Sequence, residues 1–121
     1  MGKIKWTEKA SSHLQAIHDY IAKDSKAYAT RFVKSLIKAT EKLEIMPECG
    51  RIVPELEGYG FREVIYRNYR IVYRLTHNDI VEILAVVHGA REIKRALYEE
   101  WELRRGGEGH FPYFLRKQLW H

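Results

Sequence analysis

Apolar residues recur at intervals of three and four along the first part of the chain and in alternation or unbroken runs further on, so helices are expected first and strands after them. Lys3 to Trp6 alternates polar with apolar side chains and predicts a short opening strand. Thr7 follows as a helix cap, its hydroxyl suited to the free N–H groups of a first turn, and Ala10, Leu14, Ile17 and Ile21 continue at helical spacing. Asp24 and Ser25 interrupt the stripe and offer a second cap. Ala29, Phe32, Val33, Leu36, Ile37, Thr40 and Leu43 then form the most regular stripe in the chain, with Lys34, Lys38 and Lys42 as its solvated face. The short break between the two helices predicts an antiparallel hairpin.

Pro47, Gly50 and Pro54 end the helical region, and Gly58 and Gly60 prolong an irregular stretch up to about Phe61. From Phe61 to Arg74, arginine and tyrosine are interleaved with β-branched residues, which predicts two strands turning at Asn68. A second turn at His77, Asn78 and Asp79 leads to Ile80–Val87, apolar enough to be covered on both faces, and Gly89 closes it. Residues 91–105 carry Ile93, Leu97 and Trp101 at helical spacing and predict a third helix, ended by Gly106 and Gly107. The order is one strand, two helices, a three-stranded meander and a C-terminal helix, an α+β domain.

Composition adds modest limits. With 121 residues and 45% hydrophobic content, the chain fills one core. No apolar run reaches the length of a membrane span and the N-terminus lacks a secretion signal, so a cytoplasmic location is expected. Cys49 is the only cysteine and has no partner for a disulfide or metal-binding pair. His13 and His18 have no second ligand one helical turn on and no acidic cluster, so neither a metal nor a cofactor is expected.

The net charge of +5 favours nucleic acid or an acidic protein as partner. Residues 98–121 hold four glutamates against three arginines and one lysine, so all of the excess lies in the first 97 residues. Every basic residue from Arg51 to Arg91 is arginine, whose planar fork suits carboxylate or phosphate. A sheet face displaying Arg62, Arg67, Arg70 and Arg74, with Tyr73 among them, needs an acidic partner.

The segments Gly50-Arg51-Ile52-Val53-Pro54-Glu55-Leu56, Arg62-Glu63, Tyr69-Arg70-Ile71-Val72-Tyr73-Arg74 and Val86-Val87-His88-Gly89-Ala90-Arg91, behind a helical hairpin, resemble the RelE/ParE superfamily of type II toxins on its ParE-like branch. The resemblance covers roughly residues 3–97. It implies a small, mostly antiparallel sheet with the hairpin on one face and a concave opposite face. It also implies neutralisation by a cognate antitoxin, alone or within toxin–antitoxin hetero-oligomers, and is compatible with a homodimer. Residues 1–97 are then the toxin domain. Residues 98–121 exceed the usual extent of such toxins, and Phe111, Phe114, Leu115 and Leu119 suggest a short helical extension.

Two activities divide that superfamily. ParE-like members poison DNA gyrase by binding it, which for this chain points to Arg62, Arg67, Arg70, Tyr73, Arg74 and Arg91 as partner-binding residues. RelE-like members cut messenger RNA on the ribosome. By resemblance to nucleases using a Glu, Arg and His set, Glu55, Arg70 and His88 occupy comparable places: Arg70 to hold phosphate, His88 to exchange a proton near neutral pH. The ending His88-Gly89-Ala90-Arg91 resembles the ParE-like pattern, and the dense lysine complement of ribosome-dependent cutters is missing between Arg51 and Arg91. The expectation is therefore a gyrase-directed toxin, with the endoribonuclease as alternative and a degenerate partner-binding module as a third reading. Simpler roles compete at each position: His88 hydrogen-bonded to backbone, Glu55 solvated or paired with an arginine, Arg70 bridging strands.

Overall fold

Hydroxyl caps set the helical boundaries. A computed structural model describes residues 3–89 and Ile93. After strand β1 (Lys3–Trp6), the Thr7 hydroxyl accepts a hydrogen bond from the Ala10 N–H at 3.1 Å and starts helix α1 (Glu8–Ala22). The Ser25 hydroxyl accepts from the Tyr28 N–H at 3.1 Å and starts α2 (Lys26–Lys38). These caps are the ones the sequence indicates, and each satisfies an N–H that the first turn leaves without a helical partner.

The second stripe runs further than its helix. Both the N–H and the hydroxyl of Thr40 donate to the Ile37 carbonyl, at 3.0 and 2.7 Å, tightening the last turn, and Leu43 is carried on a separate 3-10 turn, Glu41–Glu44. Leu43 is still fully buried. The apolar spacing thus reported burial correctly and helix length incorrectly. Lys34, Lys38 and Lys42 are exposed, as a solvated face requires.

Strands β2 (Arg51–Ile52), β3 (Phe61–Tyr66), β4 (Tyr69–Leu75) and β5 (Ile80–His88) join β1 in a five-stranded sheet of order β1-β5-β4-β3-β2. β1 runs parallel to β5, pairing Lys3 with Ile80 and Trp6 with Ile83, and the other pairings are antiparallel. β3, β4 and β5 form the expected three-stranded meander, and β2 is a further strand that the sequence pattern does not indicate. It is two residues long, too short to show any periodicity. The β3–β4 turn consists of Arg67 and Asn68, and Arg67 adopts a left-handed φ of 53°.

A bulge fixes which side chains face which way. Val72 pairs with Ala85 but Tyr73 pairs with Ile83, so Leu84 is an extra residue in β5. Beyond it, the alternation of β5 is inverted. The helices cover the sheet face that carries Val64, Ile71, Tyr73, Val81, Ile83 and Val86, packing Leu14, Phe32, Leu36 and Leu43 against it. The opposite face buries Phe61, Val72, Leu84, Ala85 and Val87 under Val53, Leu56 and Ile93. β5 is therefore covered on both sides, as its unbroken apolar run indicates. Apart from Ile93, the expected third helix and the segment 98–121 lie outside the described residues.

The link from helices to sheet is tied down by polar groups. Tyr73, fully buried on β4, accepts a hydrogen bond from the Gly50 N–H at 3.0 Å and donates to the Pro47 carbonyl at 2.7 Å. The Arg62 guanidinium donates to the carbonyls of Glu48 and Gly50 at 3.1 and 2.8 Å. Four backbone groups of an irregular stretch thereby find partners, without which their desolvation would oppose folding. Among the described residues, no helix is long and apolar enough to cross a membrane.

Candidate functional site

Strand register sorts the predicted site residues. Residues paired across an antiparallel ladder share a face, so Arg70 lies with Val87, and Arg74 with Glu82, on the side away from the helices. His88 pairs with Tyr69, which packs against the helix-side core, and the two rings sit edge to face at 5.0 Å. Arg70 and Arg74 share one face; His88 projects toward the other.

Arg70 is buried, and each of its three guanidinium nitrogens donates to a carboxylate. Its Nη1 and Nη2 donate to the two carboxylate oxygens of Glu55 at 2.8 and 2.7 Å, and its Nε donates to Glu63 at 2.7 Å. The second oxygen of Glu63 accepts from Arg51 Nε at 2.6 Å. Four charges thus alternate as Arg51, Glu63, Arg70, Glu55, reaching from the outer strand β2 across β3 and β4 to the 3-10 turn Pro54–Leu56. The Glu63 side chain is wholly excluded from solvent and is the hub. A second pair, Arg74 to Glu82 at 2.9 Å, lies further along the same face.

This corrects the expectation of outward guanidinium groups awaiting an acidic partner. Arg51, Arg70 and Arg74 have carboxylate partners within the chain. Arg62 donates to two backbone carbonyls through Nη1, and Tyr73 is inside the helix-side core. Arg67, at the hairpin turn, is exposed and lies over the Tyr66 ring at 5.7 Å. Arg91 lies outside the described residues. Sequence reasoning missed Glu63 and Arg51 as members of the network. Arg62-Glu63 reads as two ordinary surface charges, and only the pleat reveals that one is interior.

The Arg70 hydrogen bonds hold the Glu55 carboxyl down to about 2 from its ordinary 4.5, and both glutamates keep the Arg70 guanidinium further above its usual value. Because the Glu55 value is depressed on folding, its contribution is present above about pH 4.5 and is lost as pH falls toward about 2. Thermal unfolding should show this directly: between about pH 5 and about pH 2.5 the melting temperature falls less in Glu55→Gln than in the unaltered chain. Equal slopes would mean that the carboxylate is not clasped in solution.

At the hairpin end of the sheet, a shallow cleft of about 440 Å³ is lined by Arg51, Arg67, Asn68, Arg70 and His88. Glu55 and Arg70 are brought together, but as a closed ion pair, and His88 lines the cleft beside Arg70. Among the described residues, no group of three or more His, Cys, Asp or Glu side chains can hold a metal ion.

Comparison with known proteins places this architecture. The family described as ParE toxin of type II toxin-antitoxin system, parDE, matches residues 4–93. Toxin RelE2 of Caulobacter vibrioides is 30% identical over 91 residues, which is 75% of this chain and 99% of that protein. A solved chain of the chromosomal ParDE toxin–antitoxin system from P. aeruginosa is 25% identical, covers 74% of this chain and 97% of its own, and superposes with a TM-score of 0.63. A chain of the RelBE2 toxin–antitoxin complex from Mycobacterium tuberculosis shares the fold, with a TM-score of 0.54 at 21% identity, over 72% of this chain and 96% of its own. A helical hairpin on a five-stranded mixed sheet, with the matching span running from β1 to Ile93, makes this chain a member of the ParE toxin family of type II toxin–antitoxin systems.

Proposed function

We propose that the chain acts as a cytoplasmic toxin that arrests growth by binding DNA gyrase, with no bond-making of its own, and that a cognate antitoxin neutralises it. The observation that carries the reading is the closed state of Arg70. A phosphate-holding arginine must offer its donors to substrate, whereas three donating nitrogens of Arg70 are taken by Glu55 and Glu63. Glu55, held near 2, is a weak proton acceptor at neutral pH, and His88 projects toward the helix side. Recognition through a rigid surface needs none of these groups to be free.

In a supercoiling assay the purified full chain is expected to inhibit gyrase and accumulate cleaved DNA, with recovery on addition of its cognate antitoxin. Unaltered supercoiling at saturating chain would sink the proposal.

The basic cleft beside His88 favours a second reading, the ribosome-dependent endoribonuclease. That reading expects ribosome-positioned cuts that vanish in His88→Ala. His88 is exposed at the strand end, so its loss leaves the core intact and the result reports on chemistry. Intact messages in arrested cells would exclude it.

A further inference from the structure

Three of the cations that have no carboxylate partner each lie over a tyrosine ring. Lys23, Arg31 and Arg67 sit over the rings of Tyr20, Tyr28 and Tyr66, at 5.6, 5.8 and 5.7 Å from the centroids. Among the described residues, none of these three cations has a carboxylate within ion-pair distance. The three pairs come from the end of α1, the first two turns of α2 and the β3–β4 turn, which the fold brings together around Phe32 and Tyr69.

Phe32 joins the tyrosines into one cluster, its ring 6.0 Å from Tyr28 and 5.8 Å from both Tyr66 and Tyr69. Tyr20 is 72% exposed and Tyr28 45%, unusually open for large aromatic side chains that also lie beside cations. Between α1 and the sheet, a cleft of about 440 Å³ has Tyr20, Tyr69 and His88 as its walls and Ala16 and Ile17 as apolar lining.

We propose that this tyrosine-rich end binds single-stranded nucleic acid, bases stacking on the exposed rings while phosphates meet Lys23, Arg31 and Arg67. Flat rings next to cations that no carboxylate neutralises are what an unstacked strand requires, and stacking tolerates any base because each has a π-face. A duplex keeps its bases within its own stack and has no use for the tyrosine faces. An acidic peptide would use the cations but not the open rings. The surface adjoins the cleft holding Arg51 and Arg70, with Arg67, Tyr69 and His88 at their common border, and the inference holds whether or not the toxin's target is gyrase.

The test is fluorescence anisotropy of a labelled oligothymidylate of about 15 nucleotides with the full chain, since such a strand spans a site of this kind. With three phosphate contacts, affinity should weaken about twentyfold between about 50 and about 200 mM salt. Tyr20→Ala should weaken binding about tenfold through lost stacking. Arg67→Gln should flatten the salt dependence, while Lys42→Gln, which removes a charge from the solvated face of the following turn, should leave binding unchanged. Four results would each overturn the proposal. One is no anisotropy change at about 100 µM chain, the weak limit for non-specific association. The others are equal affinity for the matching duplex, equal effects of Tyr20→Ala and Lys42→Gln, and displacement of the strand by a polyglutamate peptide at equal concentration. The last would assign the surface to an acidic protein.

Discussion

Replacing Arg70 with Met lowers the free energy of unfolding by about 3 kcal/mol, read as a shift of the urea midpoint, because it strands a buried anion. Glu63 is wholly inside and accepts from Arg70 and Arg51. Arg51 is itself largely exposed, so without Arg70 the carboxylate keeps one partner that water can draw away. Glu55, being half-exposed, turns to solvent at little cost. The decisive comparison is the double variant. Adding Glu63→Gln to Arg70→Met recovers part of the loss, since a neutral amide needs no counter-charge, whereas Glu63→Gln alone is destabilising. Single and double variants whose losses simply add would show that the network carries no coupling.

That result bears on how toxin variants are interpreted. Stabilities of small domains lie around 5–15 kcal/mol, so a loss of about 3 leaves the chain folded but depletes it in cells. A harmless Arg70 variant is then ambiguous unless its folded fraction is measured. His88→Ala and Tyr20→Ala, both at exposed positions, are the variants that report on function.

Gly50→Ala is the second large effect, with an expected cost of about 3 kcal/mol from overpacking and lost hydrogen bonds. A Cβ at this position would sit 2.6 Å from the Tyr73 hydroxyl oxygen, 2.7 Å from the Glu63 carbonyl oxygen and 2.7 Å from the Tyr73 ring. Glycine is needed here for close approach. Its φ is not among the positive ones, so on backbone grounds alanine would be neutral or mildly stabilising. Two of the three obstacles, a buried ring and a strand carbonyl, cannot give way, so the loop itself must move. Its bonds to Tyr73 and Arg62 weaken as it does. Tyr73→Phe in the same chain removes one obstacle and leaves the other two, so it does not rescue. A melting temperature for Gly50→Ala equal to that of the unaltered chain would show that the segment 47–50 is not clamped in solution.

Periodic stretches made much of this fold legible, and short or pairwise features did not. Thr7 and Ser25 announce their helices because a hydroxyl before an apolar stripe has a local physical purpose. The run from Ile80 to Val87 announces a strand covered on both faces. The two residues of β2 carry no period, and the bulge at Leu84 depends on how two strands meet. The site was legible as a set of residue types only. Glu55, Arg70 and His88 stand out in the sequence, but parity cannot be followed across a bulge that inverts it. It is this inversion that puts His88 beside Tyr69 and Val87 beside Arg70. The internal neutralisation of the arginines was hidden for a related reason: Glu63 looks like any strand carboxylate until the fold encloses it.

The parallel contact of β1 with β5 has a consequence in time. Lys3 meets Ile80 and Trp6 meets Ile83, so the first strand to leave the ribosome has no place in a sheet until almost all of the described chain has followed it. A nascent chain can form its helical hairpin early, from local contacts, while the surface it must cover does not yet exist. Assembly of the sheet is thereby deferred until β5 has been made, and a chain interrupted before it lacks the folded toxin.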